Sequence, residues 1–137
     1  MPKIFEYRHR VAAEEIDALG HVNNQVYLAW MIAAAEGHTV AQGWPAERFL
    51  ALGACWVVRR HEIDYRASAK LGDEVLVRTW VASVEHVRSE RGYEMIRAAD
   101  GKVLAAAKTM WAWIDMRTGR PCRIPQEVAA AYEVHAA

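Results

Sequence analysis

The run Asp17-Ala18-Leu19-Gly20-His21-Val22-Asn23-Asn24-Gln25-Val26-Tyr27 sets one carboxylate three residues before a glycine, then leads through polar residues into an apolar, alanine-rich segment. Such a layout suits chemistry at a helix start, where free backbone N–H groups and the positive end of the helix dipole favour developing negative charge. A carboxylate beside that point can attack a carbonyl carbon or take a proton from a water. Asp17 is the candidate for that group. The competing role for Asp17, Asn23 and Asn24 is capping, the commoner use of these residue types. The density of polar residues around Asp17 favours chemistry for it, with Ile16 and Leu19 as apolar shelter.

The elements that must hold this segment follow from periodicity. Residues from about Ile4 to Ala13 read as a first strand, and Asp17 to Asn24 as a turn. From about Asn24 to Gln42 the pattern is helical: Tyr27, Met31, Ala34 and His38 share one face, with Leu28, Ile32 and Ala35 beside them. Gly43-Trp44-Pro45 stops it. Four extended segments follow, near Cys55–Tyr65, Glu74–Glu85, Arg91–Ala99 and Val103–Asp115. Turn signals stand at Gly72-Asp73, Ser89–Gly92 and Asp100-Gly101, and short links between them predict an antiparallel meander. A short helix near Gln126 to Glu133 closes the chain. The expectation is an α+β domain over residues 1–137, one long helix against one antiparallel sheet, with Ala33, Ala34, Ala35 and Gly37 letting the helix approach closely. One helix leaves much of such a sheet uncovered, and six tryptophans add to the case for a homo-oligomer.

Seventeen basic and seventeen acidic residues cancel. That gives no electrostatic basis for binding nucleic acid or an anionic membrane, so an anionic ligand needs a local arginine cluster. Cys55 and Cys122 are too far apart for a metal or redox pair, and read as small apolar residues in a reducing compartment. The first ten residues lack the apolar core of a signal peptide, and no apolar run reaches spanning length. The cytoplasm is the expected location.

Taken together, these residues resemble the hotdog-fold acyl-CoA thioesterases, specifically the 4-hydroxybenzoyl-CoA thioesterase family. The resemblance covers nearly the whole chain: the Asp17-x-x-Gly20-His21-Val22-Asn23-Asn24-x-x-Tyr27 signature, the Asp64-Tyr65 pair, Gly72-Asp73-Glu74 opening a strand, and the strand of Trp111. It implies a five-stranded antiparallel sheet wrapped around one central helix, with Asp17 catalytic and a backbone N–H near Asn24 polarising the thioester carbonyl. It further implies no metal or cofactor, and active sites at the interface of a homodimer or homotetramer. The polar His21-Val22-Asn23-Asn24 run looks more like the broad acyl-CoA branch than the benzoyl-specific enzymes.

His21 is a candidate to orient water or substrate, or else to anchor the loop. Asn23 fits a cap or a substrate contact, and Tyr27 faces the acyl group or the core. Arg59, Arg60, Arg88 and Arg91 are candidates for coenzyme A phosphates, since guanidinium groups suit bidentate phosphate contacts. Arg88 and Arg91 lead, because their segment matches in position a phosphate-contacting stretch of the family. His61 and Asp64 read as a structural polar pair. Two other reactions stay open on this fold: hydrolysis of acyl-carrier-protein thioesters, and dehydration of 3-hydroxyacyl thioesters using His38 and Glu36.

Overall fold

The computed structural model describes residues 3–135. The chain forms strand β1 (Ile4–Arg10), a single 3-10 turn (Ala13–Glu15), helix α1 (Asn24–Ala41) and helix α2 (Ala46–Leu52). Strands β2 (Ala54–Tyr65), β3 (Glu74–Glu85), β4 (Arg88–Arg97) and β5 (Val103–Asp115) follow, then helix α3 (Gln126–Ala129). One five-stranded antiparallel sheet has the order β1-β3-β4-β5-β2, with α1 packed against it, which is the hotdog fold.

The expected four-strand meander shrinks to three. Only β3, β4 and β5 are neighbours in sequence order; the connection 66–73 carries the chain from edge strand β2 across the sheet to β3, and β1 forms the far edge beside it. The turn expected at Ser89–Gly92 lies earlier, at His86-Val87, with His86 at φ 45°. A two-residue hairpin loop favours positive φ, which Asn or Gly would signal and His does not. Gly92 is strand instead. A Cβ there would sit 2.5 Å from the Trp80 ring directly opposite, so glycine is required by close approach and not by a turn.

Helix α2 was absent from the expected elements. Pro45 stands at its N-cap and Gly53, at φ 78°, ends it. Trp44 anchors it from below, 2% exposed, against the Phe49 ring at 5.2 Å with the Arg48 guanidinium 3.8 Å over its face.

The core forms two apolar clusters, of which the first packs on α1. The first joins Tyr27, Trp30, Met31 and Ala34 to Val75, Val77, Tyr93, Met95 and Leu104 of the sheet. The second joins Trp44, Val81 and Trp113 to Ile124, Val128 and Tyr132 near the C-terminus. Each fully buried side chain of this kind stabilises the fold by about 1.5–3 kcal/mol. Gly37 lets α1 close on β1, since a Cβ there would come within 2.9 Å of the Phe5 ring. Trp30, Trp44 and Trp113 are core residues, so half of the tryptophan count owes nothing to an interface. No helix among the described residues is long and apolar enough to cross a membrane.

Candidate active site

The Asp17 segment is a closed loop. Ile16 and Val22 pair as an antiparallel bridge, Asp17 N–H donates to the His21 carbonyl at 2.8 Å, and Gly20 N–H donates back to the Asp17 carbonyl at 3.1 Å. Gly20 sits at φ 80°, the left-handed region that favours glycine. Asp17 Oδ1 accepts from Leu19 N–H at 2.9 Å and His21 N–H at 3.4 Å. Its Oδ2 accepts no hydrogen bond among the described residues. Asp17 is half-buried, yet Leu19 is 82% exposed and does not shelter it as expected.

The loop hands over directly to α1. The Asn23 side chain accepts from Gln25 N–H at 2.9 Å and is the N-cap. Asn24 is the first helical residue and exposed; its carbonyl accepts from Tyr65 OH at 3.0 Å, which ties the end of β2 to the start of the helix. The Asn24 N–H, one of the donors that an α-helix cannot satisfy internally, has no acceptor among the described residues. Tyr27 is core: 3% exposed, its hydroxyl accepting from Ala69 N–H at 3.0 Å and its ring edge-on to Trp30 and Tyr65. His21 is exposed.

Glu15, passed over in the sequence, fixes the loop from behind. Its Oε1 accepts from Ala12 N–H at 2.8 Å and bonds His9 Nε2 at 2.7 Å, while Oε2 accepts from Trp30 Nε1–H at 3.1 Å. Burial works to raise its pKa, but the bonds from Ala12, His9 and Trp30 together outweigh it and the net direction is down. The Glu15 carbonyl also accepts from Asn23 N–H at 2.9 Å, so one residue braces both the turn and the cap.

The four arginines divide. Arg88 is exposed beside Glu85 at 3.8 Å, and Arg59 and Arg60 are exposed at a bulge in β2. Arg91 is no surface phosphate ligand. It points from β4 at α1, is 4% exposed, and its Nη1 donates to His38 Nδ1 at 2.9 Å and Thr79 Oγ1 at 3.1 Å. Burial pulls its pKa down, although a guanidinium stays charged. A cavity of about 440 Å³ lies beside it, walled by the second half of α1, α2, and residues of β2–β5. His61 does not pair with Asp64: it bonds Thr109 Oγ1 at 2.8 Å, and Asp64 pairs with Arg66 at 3.0 Å. Among the described residues no group of three or more His, Cys, Asp or Glu is placed to hold a metal ion.

The fold defines a hotdog scaffold, and the comparison with known families gives its class. Residues 11–132 match the model of the thioesterase-like superfamily, and the chain belongs to it. A 1,4-dihydroxy-2-naphthoyl-CoA thioesterase from Synechocystis superposes with a TM-score of 0.86 at 23% identity, over 93% of this chain and 94% of that one. A Staphylococcus aureus protein solved in complex with CoA gives 0.88 at 17% identity, over 93% and 80%. A chloroplastic palmitoyl-acyl carrier protein thioesterase from Cuphea hookeriana is 30% identical over 80 residues, 58% of this chain. That match spans only 19% of the Cuphea protein.

Proposed function

We propose that this protein hydrolyses acyl-CoA thioesters to the free acid and CoA, in the manner of the 4-hydroxybenzoyl-CoA thioesterase family, with Asp17 as the reactive carboxylate. The observation that carries this reading is the state of the Asp17 carboxylate. One oxygen is held by two loop N–H groups, the other is open, and the unfilled Asn24 N–H lies at the adjoining helix start. A thioester carbonyl oxygen at that N–H would be polarised by it and by the helix dipole. Asp17 Oδ2 then either adds to the carbonyl carbon, expelling the CoA thiolate and leaving an anhydride for water to cleave, or takes the proton of an attacking water. Protein oxygen in the product acid after one turnover in heavy-oxygen water would establish the first route, since attack of water on the aspartyl carbonyl of the anhydride can deliver it and the second route cannot. In this reading His21, exposed in the same loop, meets substrate, and the exposed Arg59 and Arg88 meet CoA phosphates.

The site reads as part of a homodimer. The outer edge of β2 pairs with no strand among the described residues, and an open edge of this length is a pairing surface. Two-fold antiparallel pairing of β2 with its copy sets the Tyr65 end of one strand beside the Cys55–Trp56 end of the other. Tyr65 is bonded to the start of α1, and Cys55 and Trp56 wall the cavity. Each loop would therefore face the cavity of the other copy.

A second reading, hydrolysis of acyl-carrier-protein thioesters, is favoured by the Cuphea match. The test is thiol release over a panel of acyl-CoAs and the same acyl groups on acyl carrier protein. Faster release from the CoA series supports the proposal. Release from the carrier-protein series alone would transfer the activity to the second reading, and release from neither would refute both.

A further inference from the structure

The cavity beside α1 is apolar over most of its wall, with Trp44, Phe49, Trp56, Val81 and Trp111 among its lining residues. Arg91 breaks that pattern with a fixed positive charge. Its two strand neighbours, Val81 and Thr109, carry no charge, and no carboxylate pairs with it among the described residues. Glu36 also lines the cavity but is exposed on α1 and makes no ion pair with Arg91. Because a guanidinium has donors only, His38 Nδ1 must be the acceptor of their bond, which makes His38 a neutral partner. Both bonds of Arg91 use Nη1, and its Nε and Nη2, the side-on edge of the fork that matches a carboxylate, have no acceptor among the described residues. A desolvated charge held by neutral partners alone is costly, and a counter-ion relieves that cost.

We propose that this cavity is an acyl pocket with a cationic end, and that the acyl groups it takes carry a carboxylate at the end remote from the thioester. The inference rests on the thioester-hydrolase reading above. Within one chain, Asn24 and Ala35 are roughly 16 Å apart along the helix, so the pocket serves the loop of the paired copy, brought to it by the β2 edges. A neutral acyl chain fills the apolar wall but leaves Arg91 without a counter-ion, so the pocket selects by the terminal group.

The test uses two non-hydrolysable CoA thioethers of equal chain length, one ending in a carboxylate and one in a methyl, with binding read from tryptophan fluorescence. Trp44, Trp56 and Trp111 line the cavity and report its filling. The wild-type protein should bind the carboxylate ligand at least roughly tenfold more tightly, the scale of one good charge-assisted contact. Arg91→Met should lose that preference while keeping the affinity for the methyl ligand, and Arg91→Lys should keep part of it. Equal wild-type affinities, no binding of either ligand, or a preference that survives in Arg91→Met would each overturn the proposal. Because the thioethers are not cleaved, this result is independent of turnover. A clear preference with no thiol release from adipoyl-CoA or hexanoyl-CoA keeps the anion site and removes the hydrolase reading; release from both at equal kcat/KM with equal binding does the reverse.

Discussion

At the N-terminal end of α1 the polar groups of Asp17, Gly20, His21 and Asn23 bond to their own loop and helix start. In its C-terminal half, Arg91 meets His38 across 53 residues and Thr79 across 12. The first region is local, partly open to solvent and short of two partners, Asp17 Oδ2 and the Asn24 N–H. The second is buried, assembled from helix and sheet, and short of a negative charge. The difference separates two tasks that one site needs: groups that act on a carbonyl must be reachable, whereas groups that select an acyl tail must be enclosed.

Substitutions should separate these tasks. Asp17→Asn keeps the loop hydrogen bonds through its side-chain oxygen but removes the carboxylate proposed to react. Turnover should fall by at least roughly a hundredfold, with thioether binding and Tm near wild type. Turnover near that of the wild type in the folded variant would break the comparison at its first term.

Glu15→Gln tests the brace behind the loop. Weakening a half-buried acceptor of three donors should cost about 1–3 kcal/mol, read from chemical denaturation. The sign with pH also follows. The folded-state pKa of Glu15 lies below the ordinary glutamate value of 4.5. Its contribution is therefore present above that value and lost as pH falls through the lower folded value. The Tm of Glu15→Gln should change less than wild type across that acid limb.

Gly92→Ala places a methyl against Trp80 on the strand that carries Arg91. A loss of about 1–3 kcal/mol is expected from overpacking, while an unchanged denaturation midpoint would show that the Trp80 ring gives way freely. Smallest of all, an Arg59→Ala, Arg88→Ala double variant should raise KM for CoA thioesters by up to about fivefold, the scale of exposed charge pairs. Its kcat should be unchanged, and the effect should fade with added salt.

What could be read from sequence tracks the same divide. The limits of β3 and β5, and α1 to within its last residue, followed from alternation and helical spacing. The Asp17 loop was legible because its hydrogen bonds join near neighbours. Arg91 was misplaced among surface arginines because its setting depends on strand register and on a helix far away in the chain, neither of which a local pattern contains. His86 hid its turn behind an uninformative residue type, and the place of β2 at the sheet edge depends on a crossover that no spacing reveals. Helix α2 carries only the flanking signals Pro45 and Gly53, which bound a stretch to which the sequence analysis assigns no element. Glu15 carried no motif; its importance comes from three donors that converge only in the fold.

The central claim, that the loop of one copy acts on a thioester whose tail lies in the cavity of the other, is tested most directly by mixing subunits. Asp17→Asn disables the loop, and Thr39→Trp fills the cavity from α1. Each homodimer alone should be nearly inactive. After the two are unfolded and refolded together, mixed dimers retain one intact loop facing one intact cavity. Thiol release should then recover to about a quarter of wild type, since half of randomly reassorted dimers are mixed and each holds one whole site. Verified mixed dimers with no activity above the sum of the parents would contradict the account.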